Sequence, residues 1–235
     1  MLQPFDAPSP TLANDVFARL RADIISSRLA PGAKLRLNDL RTAYGVGFSP
    51  LREALSRLAE NRLVIAIGQR GFRVPEASAH DIMDVAMVRK EVEGFALRLA
   101  IRNADDFWEA QLSRAGENLA ALHRGAKSAS EDAWEARHRE FHRALISACK
   151  SPSLLHLHDL LSDQFDRYRR LSAKSRLPNA PRWLIHKAIL QAALSRKADK
   201  AVKLLEAHIT EATRLIVMGL LVPDGNQSGP ARKRK

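Results

Sequence analysis

The sequence predicts a mainly α-helical protein in two parts: three short helices closed by a two-stranded hairpin, then an all-helical antiparallel bundle. Three observations carry this expectation. Apolar residues recur at helical spacing between Leu12 and Leu58, interrupted only at Pro31-Gly32 and Gly45-Val46-Gly47. A single β-favouring run, Leu63 to Ile67, is followed after Gly68-Gln69-Arg70-Gly71 by Phe72-Arg73-Val74 and Pro75. From Ala79 onward every periodic stretch is helical, and the breaks between stretches are short.

Taken in order, Leu12, Val16, Leu20 and Ile24 stand four apart with Phe17 and Ile25 beside them, and Thr11 is placed to cap the helix they define. Leu37, Leu40 and Tyr44 mark a second helix that ends at Gly45. Ser49-Pro50 reads as a capping residue followed by a proline at the first position of a third helix. Leu51, Ala54, Leu55 and Leu58 would form its buried face, turning Pro50, Arg52, Glu53, Ser56 and Arg57 outward. Three helices and a hairpin with a basic tip make a winged helix-turn-helix. The later helices are expected near 79–102, 105–123, 131–148, 152–172, 181–195 and 198–218. Residues 223–235, PDGNQSGPARKRK, have no period and are expected to be a disordered basic tail. The expected division is therefore 1–76 for the DNA-binding domain, 77–222 for the helical domain and 223–235 for the tail.

Composition bounds the function classes. Across 235 residues the formal net charge is +12, which points to a polyanionic partner. Residues 1–76 carry only +4 of that excess, and the terminal Arg232-Lys233-Arg234-Lys235 carries as much. Placement of the cations on a helix and wing is thus a better pointer to DNA than their number. The single cysteine, Cys149, excludes an internal disulfide and a Cys-rich zinc module. No secretory signal and no membrane span are legible, so a cytoplasmic protein is expected.

At this level the chain resembles the GntR transcription regulators, in the FadR subgroup whose C-terminal part is the helical FCD domain. The stretches that carry the resemblance are LRLNDLRTAYGVGFSPLREALSRLAENRLV with QRGFRV, DVAMVRKEVEGFALRLA, HREFHRALISACKSPSLL, and His186 through His208. They run from about residue 12 to 218 in the family's order. DQFDRYRRLS adds a resemblance to the branch containing the glutarate-responsive regulator CsiR.

The third helix of such a head lies in the major groove. Arg52, one turn in, can donate to a phosphate or to a guanine edge, and the resemblance supports it and the wing as contacts. Arg57 could reach the flanking backbone, as could Arg36 and Arg41 from the preceding helix. Ser49 and Pro50 open the recognition helix, and the tip Gln69-Arg70-Gly71 could bring an arginine into a minor groove. A plain surface salt bridge of Arg52 with Glu53 or Glu60 is the competing reading. The family usually reads Ser-Arg-Thr-Pro where this chain has Gly47-Phe48-Ser49-Pro50, so an operator sequence does not carry over.

In the helical part His138 and His142 are four apart and share a helix face. Antiparallel packing could bring His186 and His208 to them, and imidazoles converging from three helices suit Zn²⁺ or Ni²⁺. Many FCD domains hold such a metal with an Asp and three His; here His138 occupies the Asp position. His156 and His158, with His80 and His123, read as structural. The resemblance also implies that Arg89, four residues before Glu93, faces a cavity and grips a carboxylate; the alternative is an intrahelical Arg89–Glu93 pair. Arg167, Arg169 and Arg170 read as a mostly solvated face.

These readings imply a ligand-responsive regulator of transcription. It is expected to be a repressor and a homodimer, released from its double-stranded DNA operator by a small organic acid bound near the metal. Two rivals stand beside it: a metal-dependent hydrolase using the histidines, and a nucleic-acid-binding scaffold without an effector. His138-Arg-Glu-Phe-His142 is not a zincin helix, because Glu140 lies about 200° around the helix from His138.

Overall fold

The computed structural model describes residues 11–68, 71–124, 130–173 and 182–221. The chain divides into two compact units. One runs to Ser78 and takes in Asp166–Arg170; the other comprises Ala79–Phe165 and the chain from Leu171 onward. The tail over 223–235 and the tip residues Gln69 and Arg70 lie outside the described residues.

In the first unit α1 (Leu12–Ile25) starts where the Thr11 hydroxyl oxygen accepts the Asn14 amide at 3.3 Å. Val16, Leu20 and Ile24 on one face are fully buried. A short strand β1 (Lys34–Leu35) precedes α2 (Leu37–Tyr44), which stops at Gly45 in the left-handed region, φ 67°. A side chain there would strain the turn into α3 (Phe48–Glu60). β2 (Ile65–Ala66) and β3 (Phe72–Arg73) follow. Leu51, Leu55 and Leu58 of α3 pack with the buried face of α1, Leu35, Leu63, Val64 and Val74 in one cluster. Each fully buried leucine contributes about 1.5–3 kcal/mol.

Two details correct the sequence expectation. The sheet has three strands in the order β1-β3-β2, all antiparallel, with Leu35 and Ala66 both opposite Phe72. At two residues β1 is too short to show a period, and only pairing with β3 defines it. Helix α3 starts at Phe48, with Gly47 as a cap that has no side chain to offer, so Ser49 and Pro50 are its second and third residues. Proline is tolerated there because the first four helical amides have no intrahelical acceptor.

From Ala79 onward the described elements are all helical: α4 (Ala79–Arg102), α5 (Asp106–Arg124), α6 (Glu131–Ile146), a 3₁₀ turn (Ser147–Cys149), α7 (Pro152–Ala173, of which Asp166–Arg170 belong to the first unit), α8 (Arg182–Leu194) and α9 (Ala198–Leu221). Helix α4 packs along α9, α5 along α6 and α8, and α8 along α9. Gly94 is a point of close approach, since a Cβ there would stand 3.3 Å from Val202 Cγ1 of α9. Asp105 caps α5 by accepting the Trp108 amide at 2.8 Å, while the buried Trp108 indole donates to Ala144 O at 2.9 Å and ties α5 to α6. Among the described residues no helix is long and apolar enough to cross a membrane.

Candidate functional site

Three helices converge on the histidines. The i, i+4 spacing of His138 and His142 puts both on the buried face of α6, while α8 supplies His186 and α9 supplies His208. One ring nitrogen from each lies within 4.8 Å of the others. Ring centroids are 4.5 Å apart for His138–His142 and for His186–His208, and 5.3 Å apart for His142–His208. His138, His142 and His186 are buried and His208 is half-buried. Trp134 stacks on His138, and Phe141 meets His142 and His186 edge-on, so one wall is aromatic.

The chemistry of this set fits a divalent transition metal. Four imidazole nitrogens on Zn²⁺ at 2.0–2.1 Å stand about 3.4 Å from one another, a modest contraction of the observed cluster. Among the described residues neither ring nitrogen of the buried His142 has a partner within hydrogen-bond distance, the nearest Glu93 oxygen standing 3.8 Å from Nδ1. A buried polar atom left in that state is costly unless a ligand completes it. Burial also lowers the His142 pKa, an effect that the neighbouring Glu93 only partly offsets, which favours the neutral form that a metal requires.

Beside the histidines sits a second buried group. Glu93 of α4 accepts from Arg89 Nε at 2.6 Å and from His158 Nδ1 at 2.9 Å, and its other oxygen is 3.8 Å from His142 Nδ1. Burial alone would raise the Glu93 pKa, but the Arg89 guanidinium and His158 outweigh it and hold the carboxyl well below its usual range. The intrahelical Arg89–Glu93 pair is therefore formed. It uses only Nε of Arg89, whose guanidinium lies over the Phe165 ring at 4.6 Å.

His158 belongs to this group although it reads as structural from sequence. The available signal is its i, i+4, i+7 stripe with Ser162 and Phe165 on α7, all three of which are buried. His156 and His80 are exposed. The arginines that follow on α7 are also not a solvated face: Arg167 is 3% exposed and Arg169 donates to the buried Asp166 at 2.7 Å. Glu140, the only carboxylate within the His138–His142 turn, is exposed on its side chain and bonded to Arg137 at 2.6 Å.

In the first unit Arg52 is exposed and makes no hydrogen bond or ion pair with another described residue, so its competing salt bridge is not formed. Arg36 beside α2 and Arg41 on it are both exposed, and Arg41 lies over the Phe48 ring at 5.2 Å. Arg57 differs, for it lies over Phe17 at 4.4 Å and donates to Asn14 Oδ1 at 2.7 Å, tying α3 to α1. Ser49 is exposed and Pro50 half-buried at the start of α3. Gly71, at φ 104°, lets the hairpin return so that its carbonyl accepts the Ile67 amide at 2.8 Å.

Comparison with known proteins agrees with this two-part layout. Residues 12–74 match the gntR family of bacterial regulatory proteins and residues 84–211 match the FCD domain. The chain belongs to the GntR family. It is 38% identical over 209 residues to BphR, an HTH-type transcriptional regulator of Paraburkholderia xenovorans (strain LB400), covering 88% of this chain and 85% of that one. With the HTH-type transcriptional repressor GlaR of Escherichia coli (strain K12) it shares 33% over 202 residues, covering 83% and 91%. E. coli McbR/YncC has the same fold, with a TM-score of 0.78 at 20% identity over 89% of this chain and 99% of that one. As a GntR-family protein the chain is a DNA-binding regulator of transcription, and all four histidines, Arg89 and Glu93 fall within its FCD match.

Proposed function

We propose that this GntR-family regulator is a repressor whose FCD domain binds a divalent metal and a small carboxylate effector, which together control its grip on an operator. The observation that carries the reading is the converging quartet His138, His142, His186 and His208, three of them buried, with Arg89 beyond the Glu93 carboxylate that faces His142. These four residues would hold Zn²⁺ or Ni²⁺, and the metal, when bound, supplies a Lewis-acidic attachment point for a carboxylate oxygen. Arg89 is the complementary cation: its Nε is committed to Glu93, and its two outer nitrogens form no hydrogen bond with a described residue. That outer edge is the part of a guanidinium that grips a carboxylate with two parallel bonds.

In the head, the proposed contacts are Arg36, Arg41, Ser49, Pro50, Arg52, Arg57, Gln69, Arg70 and Gly71, with α3 in the major groove and the wing beside it. Arg57, tied to Asn14, would serve chiefly by holding α3 on α1. The division of labour is a DNA-binding head within 1–76 and an effector-binding and dimerisation domain within 77–222. A homodimer would set one head on each half of a pseudo-palindrome. Effector binding shifts DNA affinity only if the effector prefers one arrangement of the heads.

The test has two arms. Protein purified without a histidine tag is assayed for bound divalent metal, and thermal melting is followed with small dicarboxylates in the presence and absence of Zn²⁺ or Ni²⁺. A stoichiometric metal, a metal-dependent stabilisation and release of a fluorescent operator by the same acid are the expected results. A protein with no metal, indifferent to chelator and to every acid, overturns the reading.

A further inference from the structure

The start of α3 carries an exposed aromatic ring that the head's own packing does not use. Phe48 is 42% exposed and lies outside the apolar cluster that holds Leu51, Leu55 and Leu58 of the same helix. The other large exposed apolar side chains of the head are on α1 (Leu12) and β2 (Ile65), so among the described residues Phe48 is the one on α3. Its position is set by the helix itself: Phe48, Arg52 and Ser56 follow at intervals of four, all exposed, and make one stripe along the face opposite the core. Arg41 covers one side of the ring from α2. That guanidinium forms no hydrogen bond or ion pair with a described residue, so a cation with free donors stands beside an apolar surface.

A helix presented to the major groove contacts base edges with its N-terminal residues. Of the groups displayed there, the thymine C5 methyl is the apolar one, and only an apolar side chain gains by covering it. An aromatic ring at this position cannot accept or donate the hydrogen bonds that read guanine, adenine or cytosine. We infer that Phe48 is a specificity-determining residue of this regulator and reads a thymine methyl in each operator half-site, with Arg41 stacked on its ring and directed to the adjoining phosphates. The inference rests on α3 being the recognition helix.

The test is a methyl deletion combined with a side-chain deletion. An operator is first selected from random duplexes with the unaltered dimer, and each thymidine of it is then replaced in turn by deoxyuridine. One thymine in each half-site is expected to show a penalty of about fourfold, the value of one methyl group removed from water, and about fifteenfold when both half-sites are changed. In Phe48→Ala that penalty disappears while other positions keep theirs, and Phe48→Leu, which stays apolar, retains part of it. Circular dichroism and an unchanged salt dependence confirm that the variant heads remain folded and docked. Equal deoxyuridine penalties in Phe48→Ala and the unaltered protein at every thymine overturn the inference while leaving DNA binding intact. Absence of any sequence-specific duplex for the unaltered protein overturns both the inference and the placement of α3.

Discussion

Replacing Glu93 by glutamine tests the buried centre of the FCD domain most directly. The side chain keeps its shape but loses the charge that faces Arg89 Nε at 2.6 Å, His158 Nδ1 at 2.9 Å and His142 Nδ1 at 3.8 Å. Glu93 and Arg89 are 1% and 3% exposed, so the Arg89 charge is left in a poorly solvated place without its counter-ion. Breaking a buried ion pair from one side costs about 3–5 kcal/mol. For a domain of this size that lowers the melting temperature of the metal-free protein by roughly 10 °C. Glutamine also presents an amide NH₂ where the carboxylate only accepts, so one of its three neighbours meets a donor instead of an acceptor. If metal binding at Nε2 draws the His142 Nδ1–H onto Glu93, now 3.8 Å away, loss of that acceptor should weaken metal binding about 10- to 100-fold. Calorimetry on chelator-treated protein measures the first effect, and competition against a chromophoric chelator measures the second. Arg89→Met combined with Glu93→Gln should recover much of the stability, because no buried charge then remains uncompensated, but not the metal affinity. A single variant with unchanged melting temperature and a metal affinity within twofold of the original would refute this account of Glu93.

Other consequences follow from the same geometry. Arg52→Ala should weaken operator binding and reduce the log–log salt slope by about 0.9 for each phosphate that the protein no longer neutralises, measured by anisotropy across a salt series; an unchanged slope excludes Arg52 as a ligand of the DNA backbone. Metal-free protein should lose stability as the pH falls. His142 has a folded pKa below its ordinary value near 6.5, so the unfolded chain takes up a proton there that the folded chain refuses, and the depressed Glu93 adds a loss below its ordinary value of 4.5. Melts between about pH 8 and about pH 4 should show a monotonic decline, and a maximum on the acid side would contradict it. Leu55→Ala, which opens a cavity at a fully buried site of α3, should cost the head about 2–5 kcal/mol and be visible as a lower-temperature transition in calorimetry.

How much of this is legible in the residues alone differs by element. The long helices are, because each buries one periodic stripe, and their observed ends fall within a few residues of the apolar pattern. Strand β1 is not, since two residues contain no period and their pairing with β3 is a non-local event. The start of α3 is misleading in the sequence because Ser49-Pro50 has the composition of a cap, whereas Gly47 caps by backbone conformation alone. For the site, the i, i+4 spacing of His138 and His142 puts two imidazoles on one face of a helix. His158 gives no comparable signal of its role, because its partner, Glu93, is 65 residues away in the chain.

The chain's order of residues therefore determined by itself whatever depends on local spacing: the helices, the outward face that includes Arg52, and the one-turn separation that puts Glu93 within reach of Arg89. Only the tertiary structure decided which histidines share a site, that His158 joins the Arg89–Glu93 pair, and that Arg57 is held by Asn14 while Arg52 is left without a partner among the described residues. The reason is physical. Spacing sets the direction of a side chain from its own helix, but burial, desolvation and the identity of a distant partner arise only when separate helices pack together.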